Sequence, residues 1–232
     1  MSDSKSADDR DRLASLVAQA KTRGADSADA VLIRSISLSH AQRLGEIEKL
    51  ERQESFDLGL RVFRGKKQAI VSSTDFSDEA LSELVGRAVD MAGMVPDDPW
   101  TGLADPDQLA TDIPDLDMVD PDEPASAELI EMARACEDAA RSIEGITNSD
   151  GAEASWGHSS VTLAATNGFA GHYARTDCGV GVSVIAGEGT DMEGEYDFAH
   201  AVFRADLENS AAVGTRAGER AVARLGARRM AT

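Results

Sequence analysis

FDLGLRVFRGKKQAIVSS, residues 56–73, decides the fold class. Phe56, Leu58, Leu60 and Val62 recur every second residue, which places one row of apolar side chains on one face of a β-strand. Arg64-Gly65-Lys66 follows as a turn, and Lys67 to Ser73, carrying Ala69, Ile70 and Val71, reads as the returning strand. So short a connection joins antiparallel neighbours, because a parallel crossover needs about a dozen residues.

Upstream, the same period of two runs through Ala30, Leu32, Arg34, Ile36 and Leu38, and a further strand carries Ile47 and Leu50 after a polar turn around Leu44 to Glu46. Before these, Leu13, Leu16, Val17 and Ala20 fall at i, i+3, i+4 and i+7, which predicts a helix over about Asp9 to Thr22, ended by Gly24. Downstream, Ser77 is placed as an N-cap, ahead of Leu81, Leu84, Val85 and Ala88 on a helix ending near Gly93.

The pattern then pauses and restarts. Residues 95–124 are rich in proline and aspartate, from Asp97 to Asp122, with little periodicity, and read as an extended acidic connector. The aspartates lack the register and central glycine of an EF-hand loop. Ser126 is expected to cap a helix with Leu129, Met132, Ala133, Cys136, Ala140 and Ile143 on one face. Strand-like stretches follow at 146–156, 160–166, 169–186 (with a break) and 195–203, punctuated by Asp150-Gly151, Asn167-Gly168 and Gly187-Glu188-Gly189. A last helix is expected from Ser210 to Arg228, with Val213, Ala217, Ala221 and Leu225 four apart.

The expected fold is therefore α+β: two α-β4-α units of antiparallel sheet with flanking helices, the pattern of a duplication or of two similar layers packed together. The expected organisation is a flexible acidic tail (1–8), a first unit (9–94), the connector (95–124) and a second unit (125–232).

Composition narrows the function. The chain has 232 residues with 23 Lys plus Arg against 42 Asp plus Glu, a formal charge of -19, which disfavours any partner held by phosphate neutralisation; no nucleic acid is expected. The first ten residues have no apolar h-region, and no apolar run of about 18 residues follows, so a cytoplasmic location without membrane association is expected. Two basic patches, Arg61, Arg64, Lys66 and Lys67, and Arg224, Arg228 and Arg229, read as a solvated strand edge and a helix end. Cys136 and Cys178 form no close pair and read as free thiols.

Motifs for chemistry are sparse. None of His40, His158, His172 and His200 is followed by a glutamate, so the chain carries neither HExxH nor HExxxH. It also has no GxSxG elbow, Walker A loop or Rossmann fingerprint. His158, His172, Cys178 and His200 lie on successive strand-like segments and could converge as a soft metal site, but their irregular spacing favours packed or exposed histidines and a packed Cys178. Asp177 and the run Glu188, Asp191, Glu193, Glu195 and Asp197 read as solvated carboxylates, and Trp156 and Tyr173 as sheet-packing residues. No catalytic, cofactor-binding or metal-binding residue is assigned.

In order along the chain, Gly59-Leu60-Arg61-Val62-Phe63, Ser72-Ser73-Thr74-Asp75, Ala104-Asp105-Pro106, Pro114-Asp115-Leu116-Asp117, Ile146-Thr147-Asn148-Ser149-Asp150-Gly151, Gly171-His172-Tyr173 and Gly189-Thr190-Asp191-Met192-Glu193 resemble the PmbA/TldE family, also named modulators of DNA gyrase. The resemblance implies the amino-terminal half of a subunit in a cytosolic TldD/TldE metalloprotease. In that complex the TldD-type partner subunit supplies zinc on an HExxxH helix, and the TldE-type subunit completes the chamber and the heterodimer. The tasks it implies are maturation of peptide antibiotics and removal of small or unfolded proteins. The expected partners are a TldD-type subunit and a peptide or unfolded protein substrate held as an extended strand, with self-association possible; the isolated chain is expected to be inactive. The alternative is a stand-alone acidic protein-binding module acting on gyrase or another basic partner.

Overall fold

The structure, a computed structural model, describes residues 3–227, with side chains from Ser6 onward. Arg228 and Arg229 of the second basic patch lie outside the described residues. A helix α1 (Asp3–Thr22) leads into strands β1 (Ser27–Arg43), β2 (Glu46–Arg64) and β3 (Lys67–Ser73), followed by α2 (Asp78–Met94). The succession repeats with α3 (Ser126–Arg141), β4 (Ile146–Ala165), β5 (Ala170–Ala186), β6 (Glu193–Ala201) and α4 (Ser210–Ala223). All six strands join one sheet in the order β3-β2-β1-β4-β5-β6, antiparallel as expected.

Each succession holds three strands where four were expected. The segments around Ile47 and Phe56 are one continuous strand, as are 146–156 and 160–166. Between the first two the chain has Arg52-Gln53-Glu54-Ser55, with no glycine or proline to break the ladder, and Gly157-His158 remains extended. Helix α1 begins at Asp3, six residues earlier than its apolar stripe suggests, and Asp9 within it makes a bidentate ion pair with Arg34 at 2.7 and 2.8 Å.

Two compact units emerge from the contacts, and the long strands pass through both. Among the described residues the first comprises 3–35, 55–117 and 159–174; the second comprises 36–54, 118–158 and 175–227. In the first, Leu13, Leu16 and Val17 of α1 and Leu81, Leu84 and Val85 of α2 bury against Leu32, Leu58, Leu60 and Val62. These strand residues are all even-numbered, so one face of the sheet takes the helices. In the second, α3 and α4 cover Ala152, Ala154 and Trp156 of β4 and Cys178, Val180, Val182 and Val184 of β5, again the even-numbered face.

Helix ends follow local chemistry. Ser77 caps α2 as expected, its hydroxyl accepting from the Ala80 N–H at 3.3 Å. Ser126 does not cap α3: it is the first helical residue, and Glu128 reaches back to the Ala125 N–H at 3.1 Å. The acidic connector is tied down at intervals. Asp98 N–H donates to the Lys66 carbonyl and Asn167 Nδ2 to that of Ala104 within the first unit, while Thr176 N–H donates to Met118 within the second. Asp98, Asp115 and Asp120 each accept from the N–H two residues on, so these carboxylates shape turns rather than gather around an ion.

Candidate functional site

The second unit is organised around one buried carboxylate. Glu137 sits on the sheet-facing side of α3 and is fully buried. Its Oε1 accepts from the Leu44 N–H and the Ser149 hydroxyl, both at 2.7 Å, and its Oε2 accepts from the Gly45 N–H at 3.0 Å and Gln42 Nε2 at 2.9 Å. Burial pushes its pKa up, but the four donors outweigh burial and hold it below the usual glutamate range. Leu44 and Gly45 both have positive φ, 53° and 83°, the geometry of a two-residue hairpin turn whose free N–H groups point at an acceptor. Gly151 adopts φ 111° where β4 meets β1, and a Cβ there would lie 2.8 Å from the Gln42 carbonyl oxygen. Helix, hairpin turn and β4 are thus fixed to one another, which sets the floor of the sheet face turned away from α3 and α4.

On that face lies an open trough of about 380 Å³. One wall is the row Tyr196, Phe198 and His200 on β6, the last strand in the sheet order. Opposite these residues in register stand Ser183, Gly181 and Gly179 of β5. The row packs close on the glycines: a Cβ at Gly179 would come within 2.6 Å of the His200 ring, and one at Gly181 within 3.1 Å of Phe198 Cβ. Tyr196 stacks on Phe198 with centroids 6.2 Å apart, and Phe198 meets His200 edge to face at 5.4 Å. Tyr196 and Phe198 nevertheless remain 59% and 56% exposed, so the row is held in place without being covered. Glu48, Asp150 and Glu153 bring carboxylates to the trough, and no lysine or arginine lines it.

The residues singled out from sequence scatter relative to this site. Cys178 is buried on the helix-covered face, its thiol against the Ala201 carbonyl at 3.3 Å, whereas His200 lies on the open face. His172 belongs to the first unit, where its Nδ1 is 2.9 Å from Thr162 Oγ1, and burial beside Arg10 lowers its pKa. Among the described residues no group of three or more His, Cys, Asp or Glu is placed to hold a metal ion, and the set His158, His172, Cys178 and His200 is not brought together. Asp197 is ion-paired to Arg216 at 2.7 Å and Arg220 at 3.0 Å, and Glu193 and Glu195 pair with Arg224, so this part of the acidic run braces β6 on α4. Trp156 packs in the core as expected, while Tyr173 is half exposed. Cys136 is buried, and desolvation with Asp197 and Glu137 nearby pushes its thiol up to about 12. Sequence reading missed both Glu137 and the ring row. Glu137 lies four residues after Ala133 and three before Ala140, within the apolar stripe, and Tyr196, Phe198 and His200 alternate at the strand period.

No helix among the described residues is long and apolar enough to cross a membrane. The PmbA/TldA metallopeptidase domain 1 model matches residues 28–92, and the PmbA/TldA metallopeptidase central domain model matches residues 119–225. Metalloprotease PmbA of Escherichia coli O157:H7 is 32% identical over 208 residues, which are 89% of this chain and 46% of that protein. The chain spans about half the length of the curated relatives it matches. A crystal structure of a Bacteroides thetaiotaomicron protein named as a modulator of DNA gyrase superposes with a TM-score of 0.89 at 21% identity, covering 96% of this chain and 51% of that one. TldE from Thermococcus kodakarensis superposes with a TM-score of 0.75 at 15% identity, covering 91% and 47%. At these identities the two structures establish the shared fold.

Proposed function

Since the chain belongs to the PmbA/TldE family, whose two domain models together account for most of its length, we propose that it serves as the subunit without catalytic metal in a two-subunit TldD/TldE-type metalloprotease. In this reading it contributes chamber wall and subunit interface, and it presents peptide or unfolded protein to a partner subunit that supplies the zinc. The observation that carries the reading is the uncovered face of β5 and β6. This face is rigidly backed by α3 and α4, carries a row of exposed rings and ends at the last strand of the sheet. Such an edge offers main-chain hydrogen bonds to an extended peptide, and side-chain pockets beside it read alternate residues. Cys178 and His200 face opposite sides of the sheet, so these two do not share a metal site.

The test mixes the chain with a TldD-type subunit from the same cell and follows size and cleavage of an unfolded peptide, with and without chelator. A stable mixed complex and chelator-sensitive cleavage only in the mixture are expected. Chelator-sensitive cleavage by the pure chain, or no association with the partner, overturns the reading.

A further inference from the structure

We propose that the trough on the open face of the second unit is a subsite for a lysine or arginine side chain of an extended peptide. The inference rests on the peptide-handling role above and names the chemistry of the segment it takes.

Two independent features define the occupant. The first is shape. Gly179 and Gly181 let the row settle close on β5, the His200 ring and Phe198 Cβ taking the space a Cβ would fill, and the trough opens beyond the row toward β4 and β2. A long, thin methylene stem fits the narrow space between the ring row and β4, where a branched or aromatic residue meets the rings. The second is charge. Glu48, Asp150 and Glu153 reach the trough from β2 and β4, and among the described residues none of the three is in an ion pair. Of the cations beside them, Lys49 pairs with Glu51 at 2.9 Å and senses Glu153 only through space, and Arg43 donates to the Ser149 carbonyl at 2.8 Å. The carboxylates of β6 itself are already paired, Asp197 with Arg216 and Arg220 and Glu193 and Glu195 with Arg224, on the side that packs on α4. The charge left uncompensated in the trough is therefore negative. An aromatic face adds attraction for an ammonium or guanidinium that neither a neutral nor an acidic side chain has. A phosphate or an acidic peptide meets only like charge here.

The geometry gives β6 the alignment role. Tyr196, Phe198 and His200 occupy every second position of the strand, so a peptide lying parallel or antiparallel beside it turns every second side chain to the same face. One basic residue among those facing side chains is what the trough reads.

The experiment titrates the full chain, without any partner subunit, with three capped peptides identical except for a central lysine, norleucine or glutamate. Binding is followed by fluorescence anisotropy of a dye on the peptide, at low and at high salt. The lysine peptide is expected to bind at least tenfold more tightly than the norleucine peptide, to lose that margin at high salt, and to outbind the glutamate peptide further. The double variant Glu48→Gln, Glu153→Gln and the single variant Phe198→Ala should each reduce the margin, while Glu131→Gln on the exposed side of α3 leaves it intact. All of these positions are exposed, so the fold survives the changes. Equal binding of the three peptides, a margin unchanged in the double variant, or no binding of the lysine peptide at millimolar concentration overturns the inference. Because the partner subunit is absent, these outcomes are separate from whether a mixed protease forms.

Discussion

In the first unit the helices meet the sheet through bulky branched side chains, Leu13, Leu16, Leu81 and Leu84 over Leu58, Leu60 and Val62. In the second, α3 and α4 meet through alanine and glycine. A Cβ on Gly214 would lie 2.0 Å from the Cys136 carbonyl oxygen, and one on Gly218 would lie 2.7 Å from Ile143 Cγ1 and 2.8 Å from the Ala140 carbonyl oxygen. The first arrangement stabilises by apolar area and adjusts when a side chain shrinks; the second depends on two backbones touching and has no room to adjust. The unit carrying the trough is thus the one with the stiffer backing, reinforced by Glu137 bridging α3, the β1–β2 turn and β4. Placement of a binding row on an edge strand needs that stiffness more than it needs a large core.

Four substitutions probe the contrast. Gly214→Val forces the two helices apart against backbone and is expected to cost more than about 4 kcal/mol, read as loss of the cooperative transition in urea. Leu60→Ala, which empties a core position on β2, should cost about 3 kcal/mol with an unchanged denaturant slope; a cost above that of Gly214→Val reverses the comparison. Glu137→Gln keeps the shape but weakens the hydrogen bonds to the turn, about 2 kcal/mol at neutral pH. The folded carboxyl lies below its unfolded value, so its contribution is present above the unfolded pKa and lost as the pH falls through the folded one. The gap between the native chain and Glu137→Gln should therefore narrow as denaturation curves are taken from pH 7 down below pH about 4; a gap that widens on acidification contradicts the assignment. Arg134→Ala, removing exposed pairs with Glu131 and Asp138, should leave the urea midpoint within error.

Periodicity and turn residues carried the helices and hairpins: Leu13 to Ala20, Ser77 to Ala88, Arg64-Gly65-Lys66 and Asn167-Gly168 all stand where the sequence places them. Strand length was less legible, because β2 between Glu46 and Glu54 is exposed on both faces and shows no alternation to count. The connector reads as extended and without period because its order comes from main-chain hydrogen bonds to Lys66 and Thr176, which leave no pattern in side-chain type. The trough was out of reach for a related reason. Tyr196, Phe198 and His200 announce a strand, but their meaning depends on facing Gly179 and Gly181, a register that only the fold supplies.

The connector's turns separate two things that its composition confounds. Asp98 and Asp115 each use a single oxygen, toward the N–H of Trp100 and of Asp117, and the amide oxygen of asparagine would serve equally well. Asp120 uses both, Oδ1 toward Asp122 and Oδ2 toward Arg204 at 2.9 Å, and an asparagine there would turn an amide nitrogen, itself a donor, against one of them. Under mutational drift, then, the tract can shed negative charge at 98 and 115 and keep its path, while 120 is held to a carboxylate by stereochemistry alone.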